Sequence, residues 1–383
     1  MPKVRFGDVV REVKHNIDRN NNPYESYVAG DHMDTADLTI HRRGCFATDD
    51  VGPAFVREFK KGQVLYGSRR TYLKKVAVAD FDGVTANTTF VLETKNPDIF
   101  LQTLLPFVML TDSFTEWSVK RSKGSTNPYV LFSDLADFEF ELPDIEEQRR
   151  VSDVLWACFR LREHYEGLIQ QCDALVQSQF VEMFGDVITN SQNWPMRPLA
   201  AIAETRLGKM VDAKKQTGEH RHPYIANFNV QWFRFDFSEL REMDFLPEDQ
   251  QEFELQEGDL LVCEGGEVGR CAIWHNEIEG CYFQKAVHRI RCNKQYLVPG
   301  YLAYWFKHHS DFNQFEDIVG GKTSIAHLPG VKLKALQIPL PPIERQQSFC
   351  ALCDQTDKSK LAIRQALESL EKSRSAIMTK VFG

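Results

Sequence analysis

Across residues 143–185, apolar side chains fall at Val151, Val154, Cys158, Leu161, Tyr165, Leu168, Cys172 and Leu175, in alternating steps of three and four. That spacing keeps one stripe on one face of a helix, in the manner of a coiled-coil seam. Residues 341–383 repeat the register with Phe349, Leu352, Ile363, Ala366, Leu370 and Ile377, and with Thr356, Ser359 and Ser373 as weaker steps. Each segment has proline just ahead of the start, acidic residues in the first turn and glycine after the last apolar residue. The pattern therefore predicts two helices of about 40 residues, rods of roughly 60 Å at about 1.5 Å per residue. Ordinary amphipathic core helices, the plainer reading, average about 11 to 12 residues. The first rod carries four basic and eight acidic side chains and the second seven and five. Opposite net charge favours pairing the rods with each other over self-association of either.

The two rods are copies. Leu142-Pro143-Asp144-Ile145-Glu146-Glu147-Gln148 returns 198 residues later as Leu340-Pro341-Pro342-Ile343-Glu344-Arg345-Gln346. The offset holds without a gap to the closing pairs Phe184-Gly185 and Phe382-Gly383. A looser repeat precedes each rod: Lys60-Lys61-Gly62-Gln63-Val64 parallels Gln256-Glu257-Gly258-Asp259-Leu260, and Val76-Ala77-Val78-Ala79 parallels Cys271-Ala272-Ile273-Trp274. Strand-like runs recur at 88–92 and 286–291, helical stretches at 97–117 and 299–319, and a Gly/Ser/Thr segment closes each copy. The expected architecture is α+β: a globule at 1–142, a rod at 143–185, a globule at 186–340 and a rod at 341–383. The rods pair as an antiparallel coiled coil, and an internal pseudo-two-fold repeat relates the halves. Residues 19–50 show no pattern that can be placed.

Composition narrows the class. A chain of 383 residues is too long for one ordinary core, and 43% hydrophobic with 26% charged side chains excludes wholesale disorder. The longest apolar stretch, 99–110, is interrupted by Gln102, Thr103 and Pro106 and falls short of the roughly 20 residues that cross a bilayer. The opening Met-Pro-Lys-Val-Arg-Phe has no secretory character, so the expected location is the cytoplasm. Nine scattered cysteines give no disulfide framework, and the lone Cys350–Cys353 pair lacks the further ligands of a zinc site, so no metal is expected. A net charge of −8 argues weakly against nucleic acid, but it averages over local basic clusters.

With the two Leu-Pro-x-Ile-Glu-x-Gln entries and the globule before each in hand, the chain resembles the specificity subunit of type I restriction-modification systems over essentially its whole length. The resemblance implies two target-recognition domains, each reading one half of a split site on double-stranded DNA, held apart by the paired helices. It also implies two adenine methyltransferase (M) subunits docked on this chain and restriction/translocase (R) subunits joining for cleavage. S-adenosylmethionine, ATP and Mg²⁺ then belong to those partners, and this chain carries no cofactor and no catalytic residue.

The residues agree with that division of labour. Asn22-Pro23-Tyr24 and Asn127-Pro128-Tyr129 are each one proline short of an amino-methyltransferase motif and read as turns. The run from Gly265 to Gly269 lies between two strands and reads as a hairpin turn. Gly321-Lys322-Thr323 imitates the end of a P-loop but has Glu316 where the first glycine belongs. One alternative places a metal-dependent nuclease on Asp82, Glu93 and Lys95. Another makes the chain a purely structural coiled-coil linker.

Contacts to DNA need Arg or Lys for phosphates, and amide, hydroxyl or guanidinium groups for base edges. In the first globule the clusters are Arg69 and Arg70 with Lys74 and Lys75, and Lys120, Arg121 and Lys123 with Asn127. In the second they are Lys209 with Lys214 and Lys215, and Lys322, Thr323 and Ser324. Arg42, Arg43 and Arg221 are weaker additions.

Overall fold

The computed structural model describes residues 2–210, 216–315 and 327–382. Two helices of 40 residues dominate it, a central helix Ile145–Phe184 and a C-terminal helix Ile343–Phe382. The chain divides into two compact units, the first made of Met1–Gly167 with Ile363–Gly383 and the second of Leu168–Ala362. Each division falls inside a long helix, so both helices contribute to both units.

The units are built to one plan. In the first, a four-stranded antiparallel sheet runs in the order Val10–Glu12, Thr89–Thr94, Val64–Gly67, Val76–Val78. In the second, Ala203–Leu207, Val287–Cys292, Leu260–Cys263 and Cys271–Ile273 take the same order. Val64, Leu65 and Tyr66 are buried, as are all four residues of Leu260–Cys263, because each central strand is covered on both faces. The parallel turns found in the sequence take equivalent places in the two sheets. Gly62 at φ +88° donates its amide to the Ala79 carbonyl at 2.7 Å, and Gly258 at φ +90° donates to Trp274 at 2.8 Å. A two-stranded ribbon closes each globule just before its helix, Lys3–Arg5 with Glu139–Glu141 and Met196–Pro198 with Gln337–Pro339.

Residues 19–50, without a placeable pattern in the sequence, have a counterpart in the second unit. Ser26–Val28 runs parallel to Gly83–Ala86 and antiparallel to Gly44–Cys45. Arg221–Ile225 likewise runs parallel to Tyr282–Phe283 and antiparallel to Arg241–Asp244. After each first strand the chain makes the same small cap: the Ala29 amide donates to His32 Nδ1 at 3.1 Å and the Ala226 amide to Asn229 Oδ1 at 3.0 Å. Tyr27-Val28-Ala29 and Tyr224-Ile225-Ala226 are the sequence trace of this repeat. Elsewhere in the 19–50 segment, the Thr39 hydroxyl donates to Glu163 at 2.6 Å and Asp37 pairs with Arg162 at 3.4 Å, fastening it to the central helix. Asp37, His41 and Glu163 are the one group of three possible metal ligands brought together among the described residues. Arg162 and Thr39 already engage its carboxylates.

The repeated glutamine explains the shared entry motif. Gln148 is buried; its amide nitrogen donates to the carbonyls of Ile99 at 2.8 Å and Pro143 at 2.9 Å, and its oxygen accepts from the Leu101 amide at 3.0 Å. Gln346, also buried, donates to Tyr296 at 3.0 Å and Pro341 at 2.9 Å and accepts from Val298 at 2.9 Å. One side chain thus satisfies three main-chain groups and ties the first turn of each helix to the loop of its own globule.

In the second unit the helices run antiparallel. Asp173 meets Lys360 at 2.9 Å, Phe349 packs on Phe180 and Phe184 with ring centroids 5.4 Å away, and the Met183 carbonyl accepts from Arg345 at 3.2 Å. In the first unit, Val151, Leu155 and Phe159 share a core with Val381 and Phe382 and with the partly buried Ile377 and Met378. Half of the expected seam on the central helix is wrong, however. Val154, Leu161, Leu168 and Leu175 are 42%, 40%, 44% and 48% exposed. The helix must also pack on its globule, through Ser152 and Trp156 to Thr103, so its buried face follows 148, 152, 155 and 159 and leaves the 154-161-168-175 stripe outside. The C-terminal helix keeps Phe349 buried and Leu352, Ile363, Ala366, Leu370 and Ile377 partly buried, close to the predicted face.

Candidate nucleic-acid interface

In both units the same turn lies at the end of the central sheet, followed by the same returning segment. In the first unit it joins Val64–Gly67 to Val76–Val78; the Ser68 amide donates to the Thr88 carbonyl at 3.1 Å, and the Val130 amide to Ser68 at 2.9 Å. In the second it joins Leu260–Cys263 to Cys271–Ile273; the Glu264 amide donates to Ala286 at 2.9 Å, and the Leu328 amide to Glu264 at 2.7 Å. Arg69 bridges to Tyr129 as Gly265 bridges to His327. The turn read as a hairpin at 265–269 is therefore one, with no helix start to hold an anion.

The two turns differ in their side chains. Arg70 (φ +51°) and Lys74 (φ +46°) occupy left-handed conformations where the second unit places Gly266 (φ +75°) and Gly269 (φ +84°). Left-handed backbone costs an L-residue about 1–2 kcal/mol and glycine almost nothing. The Arg70 amide is locked to the Pro128 carbonyl at 2.7 Å. Arg69 and Arg70 are exposed, and neither guanidinium has a hydrogen-bond or ion-pair partner among the described residues.

The remaining candidates separate into free and engaged groups. Lys120 is exposed, Arg121 lies over the Trp117 ring at 4.5 Å, and Asn127 is exposed on the returning segment. Lys74 is engaged by Asp112 at 2.7 Å and Lys123 by Asp134 at 3.0 Å. Lys75 reaches inward to the Gly30 carbonyl and lies 3.7 Å from Asp31; Arg270 fills the same post in the second unit, donating to the Asn227 carbonyl at 3.1 Å. Lys209 is half-buried, bound to Asp249 and to the Asp244 carbonyl at 2.8 Å. Each of these four lysines thus has an acidic partner within the described structure. Lys214, Lys215, Lys322, Thr323 and Ser324 lie outside the described residues. Of the weaker additions, Arg42 pairs with Asp34 at 2.5 Å, Arg43 covers Phe81 at 5.2 Å, and Arg221 lies 3.8 Å from Glu242.

Tyr72 and Tyr129, 54% and 43% exposed, were not among the sequence candidates. Tyr129 was legible only as part of a turn, although an aromatic beside exposed arginines is a recognisable nucleic-acid signal. The first unit thus offers Arg69, Arg70, Lys120, Arg121, Asn127, Tyr72 and Tyr129 from one turn, its returning segment and the helix leading into it.

The proposed nuclease trio does not converge. Asp82 accepts from the Lys61 amide at 2.8 Å, which holds its carboxyl below the ordinary range, and pairs with Lys60 at 3.3 Å. Glu93 is taken by Arg11 and by the Gln63 amide at 2.8 Å, while Lys95 donates to the Gly7 carbonyl. Cys350 and Cys353 lie on the C-terminal helix, and burial pushes both thiols up to about 12, away from the thiolate that would bind metal. Among the described residues no helix is long and apolar enough to cross a membrane.

The chain belongs to the family described as type I restriction modification DNA specificity domain, whose model matches residues 56–171 and 191–372. It is similar to the EcoDI type I restriction enzyme specificity subunit of Escherichia coli, 27% identical over 136 residues, or 34% of this chain and 30% of that one. The stretches matched in the curated relatives span between 30% and 46% of those proteins' own lengths. In fold it resembles the S subunit of a type I restriction-modification system from M. genitalium, with a TM-score of 0.62 at 14% identity over 100% of this chain and 96% of that one. A chain solved in a study of complex assembly and conformational transition of the type I R-M system gives 0.61 at 20% identity, over 99% and 97%.

Proposed function

We propose that this chain is the non-catalytic DNA-recognition subunit of a type I restriction-modification complex, each globule reading one half of a bipartite site. The observation that carries this reading is the turn repeated at the same place in both units, presented by the same sheet and tied to a long helix through the same buried glutamine. Base reading needs rigid surfaces of this kind, and in the first unit the tip carries the exposed donors Arg69 and Arg70. Two adenine methyltransferase subunits and the restriction subunits supply the chemistry and hold S-adenosylmethionine, ATP and Mg²⁺, and the complex works in the cytoplasm. The exposed stripe Val154, Leu161, Leu168 and Leu175 on the central helix supports a protein partner, since it repeats every seven residues and is 40% to 48% exposed.

The purified chain incubated with DNA and Mg²⁺ is expected to bind without cleaving, and to support adenine methylation only when its methyltransferase partner and S-adenosylmethionine are added. Cleavage or methylation by the homogeneous single polypeptide would overturn the assignment.

A further inference from the structure

The inference below rests on the DNA-recognition reading and deepens it to a specificity-determining residue. The same turn is built twice, and only one copy carries side chains suited to a base edge. In the second unit, a Cβ added at Gly266 would meet no described atom closer than 4.0 Å, the Asn227 amide nitrogen. Space therefore does not demand glycine there; the left-handed backbone does. In the first unit the same backbone is kept, with Arg70 accepting the conformational cost. The main chain of Arg70 is held by its amide bond to Pro128, but its guanidinium is exposed and unpaired among the described residues, whereas Lys74, the other left-handed residue of the turn, reaches Asp112 at 2.7 Å. A strained residue whose side chain serves no internal contact points to an external one. Arg69 stands beside it, and Tyr129 is paired through the backbone to both Arg69 and Lys123, so the returning segment supports the turn from behind.

We propose that Arg70, with Arg69 as its neighbour, reads a guanine in the half-site of the first unit, and that the second unit makes no such contact at the corresponding turn. A guanidinium on an immobilised backbone can donate two parallel hydrogen bonds to guanine O6 and N7, an arrangement that discriminates among base pairs in the major groove. The half-sites are accordingly read by different chemistry: one contains a G·C pair that depends on Arg70, and the other owes nothing to Gly265 or Gly266.

The test is a map of methylated adenines in a host carrying the full chain with its methyltransferase partner, for the natural sequence and for Arg70→Gly and Arg70→Lys. Glycine is the residue the second unit uses at this backbone, so the turn keeps its shape; lysine keeps the charge and loses the paired donors. Both variants are expected to relax one G·C position in a single half-site, leaving the other half-site and the spacer unchanged. Competition binding with the four base pairs at that position should lose about 5- to 150-fold of discrimination. An unchanged motif, or uniformly weaker binding with a shallower salt dependence in Arg70→Gly alone, would overturn the proposal in favour of no contact or a phosphate contact. A natural chain that directs no bipartite methylation would instead overturn the underlying recognition reading.

Discussion

Adding seven residues to each long helix, between Gly167 and Leu168 and between Ala362 and Ile363, should lengthen the spacer of the methylated motif and leave both half-sites as they were. Those points are where each helix passes from one unit into the other. A heptad keeps the buried face nearly in phase, drifting by only about 20°. It adds about 10 Å at 1.5 Å per residue, equivalent to at most about three base pairs at 3.4 Å each. Three base pairs also turn B-DNA by about 100°, on about 10 base pairs per turn. The expected change is therefore one to three added base pairs, read by sequencing methylated adenines. New half-site bases with the old spacer would show that reading and spacing reside in other segments.

Gln148→Ala and Gln346→Ala should each destabilise the unit that contains the substituted residue by about 2–5 kcal/mol, since each strips partners from one amide and two carbonyls next to a buried side chain. For a unit of this size that is a fall in midpoint of roughly 5–15 °C. Thermal and urea unfolding of the two single variants and the double variant would measure it. Two costs of similar size, each confined to one unit, are the expected result. Losses below about 0.5 kcal/mol would mean that the glutamines merely occupy space.

What the sequence disclosed, and what it withheld, follows from the range of the interactions involved. The long helices were legible because a period near 3.5 persists over 40 residues, and the paired entries Leu142-Pro143 and Leu340-Pro341 marked their starts. A turn before one strand of each central sheet was foreshadowed by Gly62 and Gly258, which the structure places at positive φ. The seam was half legible: periodicity reports an apolar stripe but not which neighbour covers it, so Leu161 and Leu168 looked internal. The strands at 26–28, 44–45, 221–225 and 282–283 are too short for alternation to stand out, which hid the counterpart of residues 19–50. The partners of Lys74, Lys75, Lys123 and Lys209 could not be read in the sequence, because Asp112, Asp31, Asp134 and Asp249 are brought to them only by the tertiary fold. Arg70 is the converse. It already stood with Arg69 among the DNA-contact candidates of the sequence, and its unpaired guanidinium on a left-handed backbone, set beside Gly266, distinguishes it from the other described basic residues named there.

The most direct test of the central claim is to sequence the methylated adenines of a host that carries the methyltransferase partner, with and without this chain. With the chain present, methylation should fall on one bipartite motif, two short specific half-sites separated by a fixed number of unspecified base pairs; without it, that motif should be unmethylated. The same methylated motif in both hosts, or a single continuous motif, would contradict the assignment of this chain as a two-part DNA reader.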